Sequence, residues 1–227
     1  IQDSITGVGM MVFQSALNGM GADAIAAYYG IDLIEVLTGF KFIGEQIKWF
    51  EEQNTYHYVF GLEESYGCLA GTYARDKDAC VAVMMLCEVA GYCKSQGKTL
   101  WDAMLDMYEK YGYYKEGLAT ITLKGIDGAQ QIRDMMDKVR KEPPSEFGRF
   151  KVQADTRTDL ATGKTESTGL PNSNVLYYEL SDGAWCCVRP SGTEPKIKFY
   201  FGVKGDSLES SKEQLQELED ALMKKFK

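Results

Sequence analysis

The first half of the chain alternates two hydrophobic patterns, and this alternation restricts the fold more than any other feature of the sequence. Apolar residues recur at helical spacing near 22–29 and 42–53, and short apolar runs that suit strands lie at 32–37 and 56–61. Strands that alternate with helices in this way form βαβ units, whose strands are parallel. The sequence therefore predicts a parallel sheet with helices on its faces.

Two more helices are predicted to flank this sheet. The first is a long apolar pattern over 77–96. The second covers 100–111 and has clear end signals, with Thr99 as its N-cap, Asp102 three residues later and Gly112 at its end.

From residue 147 onward the sequence changes to short strands separated by turn residues. Strands are predicted at 174–180 and 184–189, which a hairpin turn at 181–183 joins, and at 196–203. Alternation in the last strand predicts three residues that face the core and three that face away: Ile197, Phe199 and Phe201 inward, and Lys196, Lys198 and Tyr200 outward.

Two domains are therefore expected. Residues 1–118 would form a three-layer α/β domain, and residues 119–227 a small α+β domain in which helices cover an antiparallel sheet. The helices of the second domain are predicted at 127–141 and after the capping residues Asp206 and Ser207.

The overall charge limits the possible partners. With 33 acidic and 25 basic residues, the formal net charge is -8, and no basic stripe is available to neutralise the phosphates of a nucleic acid or an anionic membrane. No apolar run approaches the roughly 18 residues that a membrane span needs. We therefore expect a cytoplasmic protein that binds neither nucleic acid nor membrane. Any phosphate that it binds would be held by a small local group of residues, not by a basic surface.

Six cysteines could indicate disulfides, but their positions argue against them. Cys80, Cys87 and Cys93 belong to one helical pattern. Cys186 and Cys187 are adjacent on one predicted strand, where neighbouring side chains point to opposite faces. We expect buried, reduced thiols, as in a reducing cytoplasm. The spacing of the cysteines suits no zinc site.

The densest group of polar side chains follows the predicted strand at 56–61. Glu63, Glu64 and Ser65 lie there between two glycines, at a strand end where open α/β sheets bind ligands. A carboxylate can accept from two neighbouring hydroxyls, and a serine can donate or accept, so this group suits a sugar. The alternative is a helix N-terminus, where acidic residues favour the helix dipole and Ser65 is a cap.

Two shorter segments carry further charges. Segment 38–41, Thr-Gly-Phe-Lys, follows another predicted strand end, so its hydroxyl and its ammonium would lie on the same edge as Glu63. A lysine there could balance a phosphate, or move a proton if its pKa were lowered. Segment 75–78, Arg-Asp-Lys-Asp, opens the long apolar helix. Its alternative interpretation is a helix cap with ordinary surface charges.

A further polar group links two predicted strands near the C-terminus. Arg189 supplies a planar fork of donors that matches phosphate. Ser191 and Thr193 supply hydroxyls, and Gly192 allows backbone N–H groups to approach an oxyanion closely. Prolines on both sides stiffen the segment. This combination favours an anion-binding loop over a plain connecting turn.

Together the four segments resemble the phosphoglucomutase/phosphomannomutase superfamily. Thr-Gly-Phe-Lys, Gly-Leu-Glu-Glu-Ser-Tyr-Gly, Arg-Asp-Lys-Asp and Arg-Pro-Ser-Gly-Thr-Glu-Pro occur in this order within residues 20–227. The resemblance implies the family's third domain, which binds sugar, and its fourth, which binds phosphate. It also implies an isomerase of carbohydrate metabolism that interconverts glucose 1-phosphate and glucose 6-phosphate through a bisphosphorylated sugar.

The resemblance implies roles for individual residues. Substrate contacts would come from Thr38, Gly39, Lys41, Glu63, Ser65 and Lys77. Contacts with the phosphate that is not reacting would come from Arg189, Ser191, Gly192 and Thr193. Within the first set, Glu63 and Ser65 would contact sugar hydroxyls, whereas Lys77 would reach the sugar or the phosphate and assist proton transfer. Glu64 is interpreted as structural.

Two motifs of the family are absent from this sequence, the phosphoserine loop and the aspartate-rich magnesium loop. We therefore expect a C-terminal fragment, beginning at Ile1 instead of Met, that is inactive by itself and binds no metal. Magnesium would lie in the missing N-terminal domains, and glucose 1,6-bisphosphate would be the activator. The single histidine, His57, is interpreted as structural, and segment 4–21 fits the family's first strand poorly.

Other functions stay open at this point. The chain could be a stand-alone module that binds phosphosugars, or part of a phosphomannomutase or a phosphopentomutase. The residues of segments 38–41 and 63–66 favour glucose over mannose or ribose as the sugar of the substrate.

Overall fold

The computed structural model describes residues 9–15, 20–37, 39–63, 67–123, 127–155, 158–159, 174–191 and 194–226. The contacts divide the chain into two compact units, Ile1–Gly112 and Tyr113–Lys227. Each unit has its own sheet and its own buried core. Among the helices of these ranges, none is both long enough and apolar enough to cross a membrane.

Strands and helices alternate through most of the first unit, as the hydrophobic patterns predict. Within the described residues its elements are β1 (Gly9–Ser15), α1 (Met20–Tyr29), β2 (Asp32–Val36), α2 (Phe40–Gln53), β3 (Tyr56–Glu63), β4 (Gly67–Ala70), α3 (Ala79–Ser95) and α4 (Leu100–Tyr111).

The sheet of the first unit has the strand order β2-β1-β3-β4. β1 pairs in parallel with both β2 and β3, as the βαβ pattern predicts. β4 is antiparallel to β3, which corrects the expectation of a purely parallel sheet. The connection is the reason, since only residues 64–66 separate the two strands, and a parallel neighbour would need a crossover of a dozen or more residues.

β1 is a strand that the sequence indicates poorly, because segment 4–21 is rich in glycine and methionine, and glycine is depleted in strands. In the structure β1 lies between β2 and β3. Hydrogen bonding along both edges therefore decides its conformation.

The core of the first unit lies between the sheet and α2. Phe40, Ile43 and Ile47 form the buried side of α2, and they pack with Tyr58 of β3 and Leu69 of β4. The connections β1-α1-β2 and β2-α2-β3 cross the sheet in opposite directions, so right-handed crossovers place α1 and α2 on opposite faces. The α/β/α layering agrees with the predicted fold class.

α3 begins at Ala79, slightly later than predicted, because Asp78 is its N-cap. The Asp78 carboxylate accepts from the backbone N–H groups of Cys80 and Val81. The end signals of α4 are confirmed: Thr99 and Asp102 form a capping box, and Gly112 follows the last residue.

All six cysteines are free thiols, but they are not all buried. Cys93, Cys186 and Cys187 are buried, whereas Cys80 and Cys87 are exposed, which corrects the expectation for these two. The apolar helix α3 packs against β4, and a strand of 4 residues covers only a small part of a helix of 17.

In the described part of the chain, the second unit contains a sheet of antiparallel strands and two α-helices. Within the described residues its elements are β5 (Tyr113–Thr122), α5 (Gly128–Lys141), β6 (Glu146–Phe147), β7 (Phe150–Asp155), β8 (Thr158–Asp159), β9 (Leu176–Leu180), β10 (Trp185–Pro190), β11 (Lys196–Gly205) and α6 (Leu208–Phe226). The strand order is β5-β11-β10-β9-β7-β6, with β8 paired to β7. Residues of α5 and α6 share the core with one face of this sheet, which is the predicted α+β architecture.

The boundary between the units lies after Gly112, whereas the sequence placed it between residues 118 and 119. β5 pairs with β11 along its whole length, from Tyr113 opposite Gly205 to Thr122 opposite Lys196. The first residues of β5 therefore belong to the second sheet. Their partners lie far along the chain, so no local pattern reveals this pairing.

The inward face of β11 is as predicted, since its three apolar residues are fully buried. Tyr200, predicted to face outward, is also buried, with 6% of its surface exposed. In the sheet register it lies between Cys187 of β10 and Leu118 of β5. Neighbours on both sides therefore shield its ring, which alternation along one strand does not reveal.

The predicted hairpin turn between β9 and β10 is confirmed at Ser181–Gly183. Asp182 and Gly183 have positive φ values of 60 and 69. Positive φ at two successive residues is the requirement of a type I′ turn, for which Asp-Gly is a favoured sequence.

Candidate functional site

The polar group at the end of β3 is centred on an ion pair. The Nζ atom of Lys77 lies 3.3 Å from Oε1 of Glu63. The Glu63 side chain is only 6% exposed, whereas that of Lys77 is 42% exposed. The carboxylate is therefore largely covered by protein, and the ammonium is the part of the pair that meets solvent.

Asp76 is a second partner of Lys77. Its Oδ1 accepts from Lys77 Nζ at 3.1 Å and from the Lys77 backbone N–H at 2.8 Å. The hydrogen bond to Asp76 is the largest cause of a raised pKa at Lys77, and Glu63 adds to it, while burial acts in the opposite direction. Lys77 is thus a cation at neutral pH, which suits a donor better than a proton acceptor.

Gly67 makes room for this arrangement. It lies opposite Glu63 in the β3–β4 pair. A Cβ atom at Gly67 would lie 3.1 Å from Cβ of Lys77 and 3.2 Å from Oε1 of Glu63, and it would overlap Cδ of the lysine. Any side chain at this position would therefore displace Lys77 from its partner.

Segment 38–41 meets the ion pair through Phe40. The Phe40 side chain is buried, and its ring centre lies 5.9 Å from Lys77 Nζ, within the range of a cation–π contact. Gly39 precedes α2 with a φ of 121, a conformation that favours glycine. Lys41 is exposed, with Nζ 4.9 Å from the ring centre of Phe42. Phe40 was not predicted as a site residue, although an aromatic residue between the glycine and lysine of a ligand loop is a usable signal.

Segment 75–78 places two of its charges at the start of α3 and two beside Glu63. Arg75 donates to the carbonyl of Thr72 at 2.5 Å and pairs with Glu51 of α2. Asp78, besides capping α3, accepts from the Tyr73 hydroxyl at 2.5 Å. The outer charges of the segment therefore fix the backbone, as the helix-cap interpretation predicts, and its inner charges join the ion pair. The substrate contact of Lys77 stays a prediction.

The second polar group lies where β10 and β11 meet the loop between them. Arg189 and Lys198 are directly opposite in the antiparallel register, so their side chains share one face of the sheet. Thr120 of β5 is the next residue in the same row. The ion pairs among the described residues include neither of these two cations. Like charges side by side are unfavourable, so an anion bound here would relieve their repulsion.

Alternation along β11 predicts Lys198 on the outward face and indicates no function for it. Its position could have marked it as a candidate site residue, because it is a cationic residue on the outward face of the strand that directly follows the loop. Only the register shows that it lies beside Arg189.

The loop after Arg189 is closed at its base by backbone hydrogen bonds. The N–H of Ser191 donates to the carbonyl of Lys196 at 2.8 Å, and the N–H of Glu194 donates to Ser191 Oγ at 3.3 Å. Glu194 also pairs with the Lys196 ammonium at 3.0 Å. These contacts hold the two ends of the loop, so the ends lose less conformational entropy when a ligand binds.

Cys187 lies two residues before Arg189 on the same strand and therefore faces the same side. Burial raises the pKa of the Cys187 thiol to about 12, although the Arg189 guanidinium acts in the opposite direction. A neutral thiol is a poor nucleophile, so this cysteine is not a candidate for covalent chemistry at neutral pH.

The structure describes these predicted site residues: Gly39, Lys41, Glu63, Lys77, Arg189 and Ser191. It brings Glu63 and Lys77 into contact. The predictions for Thr38, Glu64, Ser65, Gly192 and Thr193 lie outside the described residues. His57 is exposed on β3. Within the described ranges, no three metal-ligating side chains come together.

Comparison with known proteins identifies relatives of both units. Residues 7–111 match the family described as phosphoglucomutase/phosphomannomutase, alpha/beta/alpha domain III, and residues 151–225 match that family's C-terminal domain. A phosphoglucomutase of Staphylococcus epidermidis is 36% identical over 203 residues, and one of Staphylococcus aureus is 37% identical over 200. Each match covers 86% of this chain but only 36% of the relative. The chain thus spans about a third of the length of these curated relatives.

Two solved structures share the fold. The open form of pp63/parafusin from Paramecium, named as a phosphoglucomutase, aligns with a TM-score of 0.60 and 17% identity over 95% of this chain and 38% of its own. A putative phosphomannomutase from Thermus thermophilus aligns with a TM-score of 0.60 and 14% identity over 96% of this chain and 36% of its own. At these identities the likeness concerns the fold alone.

Proposed function

Since the chain belongs to the phosphoglucomutase/phosphomannomutase family, with its domain III and its C-terminal domain, we propose that it is the C-terminal part of a cytoplasmic phosphoglucomutase. The proposed reaction interconverts glucose 1-phosphate and glucose 6-phosphate through a bisphosphorylated sugar. In this proposal the first unit binds sugar hydroxyls, and the second unit binds the phosphate that is not reacting.

The cation pair of the second unit is the observation that carries the proposal. Arg189 and Lys198 lie side by side at the base of the loop. A phosphate group carries between one and two negative charges at neutral pH and offers three oxygens. A guanidinium can donate two parallel hydrogen bonds to such a group, and a neighbouring ammonium can donate to the remaining oxygen. Ser191, Gly192 and Thr193 would complete the proposed site.

The first unit supplies groups that suit sugar hydroxyls. Glu63 is an acceptor and Lys77 a donor, and they lie in contact at the end of β3. In this proposal Ser65 adds a hydroxyl that can donate or accept, and residues 38–41 select the sugar. A substrate that reacts at both of its ends needs contacts that work in two orientations, and hydroxyl contacts of mixed donors and acceptors meet that need.

The proposal leaves the phosphoryl transfer to residues outside this chain. The sequence contains neither the phosphoserine loop nor the aspartate-rich loop of the family. Magnesium and glucose 1,6-bisphosphate therefore enter only as proposed requirements of the longer protein. The 227-residue chain is expected to show no mutase turnover, and turnover above a buffer blank would contradict this part of the proposal.

Titration of the chain with glucose 1-phosphate and with inorganic phosphate, followed by NMR, tests the assignment. Arg189→Ala should weaken binding of both ligands about ten- to a hundredfold, the loss expected for hydrogen bonds to a charged group. Arg189→Lys should recover only part of this loss, because it keeps the charge but not the planar fork.

Arg149→Ala is the matched control. Arg149 also belongs to the second unit, but its guanidinium pairs with Glu217 and Asp182, so its removal should leave both affinities unchanged. If Arg189→Ala melts normally and binds both ligands as the wild type does, the loop is a structural turn and the proposed function fails.

A further inference from the structure

The apolar helix α3 has a side that the first unit leaves uncovered. α3 packs against β4 and α4, yet Val83 is 61% exposed and Met84 is 53% exposed. Cys80 and Cys87 are exposed as well. A helix that is apolar on all its sides is normally buried on all of them, so the uncovered side of α3 indicates an interaction surface.

The residues along this side follow the spacing of paired helices. Four of them lie at intervals of three, four and three residues, and we call them the α3 seam: Cys80, Val83, Cys87 and Ala90. The same intervals occur where two helices pack along their length. The only charged residue in 79–93 is Glu88, and the helical period places it beside the seam and not on it. The seam is therefore an uncharged apolar line.

The α3 seam is complementary to itself when a second α3 runs in the opposite direction. Its centre lies level with residue 85, so Val83 of one copy meets Cys87 of the other. Cys80 of one copy likewise meets Ala90 of the other. No pair brings two charged or two bulky side chains together. A two-fold interface requires this property, because each part of the surface meets the mirrored part of the same surface.

The charges at the two ends of α3 also complement each other. Asp76 and Asp78 precede the helix, and Lys94 lies in its last turn. Antiparallel pairing places Lys94 of one copy beside the acidic start of the other, and it does so at both ends of the seam. The Asp76 side chain is 72% exposed, and Lys94 takes part in no ion pair among the residues that the structure describes. Both groups are therefore available.

We propose that α3 is the contact surface of a homodimer, in which two antiparallel copies pack through the α3 seam around a two-fold axis. Because it concerns α3 alone, this dimer is independent of the proposed function. A helix of 17 residues is about 25 Å long, and such a contact is smaller than the roughly 800 Å² per partner of a standard interface. We therefore expect a weak dimer.

Sedimentation equilibrium of the 227-residue chain tests the dimer. The fraction of dimer should rise with protein concentration between about 1 and 100 μM. Val83→Glu should weaken the dimer about tenfold or more, because it places a carboxylate in the apolar seam.

Tyr92→Glu is the matched control. It adds the same charge to the same helix at a residue that is 70% exposed. Tyr92 lies nine residues after Val83 and therefore on the opposite side of α3. The dissociation constant of this variant should stay within about twofold of the wild-type value, because a distant surface charge has little effect. Melting curves confirm that both variants are folded.

A charge exchange tests the antiparallel direction. Lys94→Glu and Asp76→Lys should each weaken the dimer about two- to fivefold, the effect of an exposed ion pair. The double variant restores opposite charges at both ends of the seam, so it should recover most of the loss. This measurement does not depend on a change within the seam.

Three results would overturn the inference. If the chain is a monomer at every concentration up to about 100 μM, a different partner covers α3. If folded Val83→Glu and Tyr92→Glu weaken the dimer equally, the copies meet through another surface. If the double charge variant recovers nothing, the two helices do not pair in opposite directions.

Discussion

The contact between Lys77 and Glu63 depends on the absence of a side chain at Gly67. A Cβ atom there would crowd both Lys77 and the Glu63 carboxylate, so Gly67→Ala should push the lysine away from its partner. We expect the affinity for glucose 6-phosphate to fall about tenfold, the loss of roughly one hydrogen bond to a charged group. NMR titration of the variant measures this loss.

Gly91 provides the matched control for this substitution. It lies inside α3, and outside the adjoining backbone of that helix no heavy atom of the described residues lies within 4 Å of the position that a Cβ atom would take there. Alanine also favours a helix more than glycine does. Gly91→Ala should therefore raise the free energy of unfolding by about 0.5–1 kcal/mol and leave ligand affinity unchanged. Equal effects of both substitutions on affinity would contradict the role assigned to Gly67.

The start of α3 gives a prediction about pH. The pKa of Asp78 lies below its ordinary value of 3.8, first because the Tyr73 hydroxyl donates to the carboxylate and then because the N–H groups of Cys80 and Val81 do so. A group with a lowered folded-state pKa stabilises the fold above its unfolded pKa, and this contribution is lost as the pH falls through the folded pKa. The cap should therefore weaken only as the pH falls below 3.8.

Asp78→Asn tests this prediction, because asparagine caps a helix but does not titrate. We expect the free energy of unfolding of the wild type to fall more steeply than that of the variant between about pH 4 and pH 2. Urea unfolding at several pH values measures both slopes. Identical slopes would show that Asp78 does not link protonation to the stability of α3.

The helices α3 and α6 differ in how much of their apolar surface is buried. Leu218 of α6 is fully buried, whereas Leu86 of α3 is 57% exposed. Leu218→Ala should therefore lower the free energy of unfolding by about 2–5 kcal/mol. Leu86→Ala should lower it by about 0.5 kcal/mol or less. Urea unfolding of the two variants measures both changes in the free energy of unfolding. A large cost at Leu86 would mean that the face of α3 is covered in the folded protein.

For the whole molecule, the division into units predicts where the chain can be cut. The core of the second unit is formed by residues of that unit, so residues 113–227 expressed alone should unfold cooperatively. A piece that begins at residue 119 should be less stable and more prone to aggregate, because β11 would lose its partner opposite residues 200–205 and expose a strand edge. Melting curves and solubility of the two pieces measure the difference. Equal behaviour would favour the boundary that the sequence suggested.

Local signals in the sequence were sufficient to predict the elements whose ends are marked by caps and turns. Thr99, Asp102 and Gly112 fix the ends of α4 because they satisfy backbone groups within a few residues of themselves. Asp182 and Gly183 fix the hairpin turn for the same reason. The order of the polar segments likewise indicated the family, since each segment is continuous in sequence.

Pairing between strands that lie far apart in the sequence decided the features of the fold that local signals did not reveal. The position of β1, the reversal of β4 and the membership of β5 in the second unit depend on hydrogen bonds along strand edges. One strand's own residues do not specify these partners. The same holds for Tyr200, whose burial depends on the strands beside it.

The sequence by itself determined which side chains could bind a sugar and a phosphate, because the type and order of those residues are local properties. Only the tertiary structure decided which of them lie next to one another. It placed Lys198 beside Arg189 through the β10–β11 register, and it packed Lys77 across Gly67 onto a covered Glu63. Charge balance and burial are properties of residues that meet in space, and chain folding, not spacing along the sequence, brings those residues together.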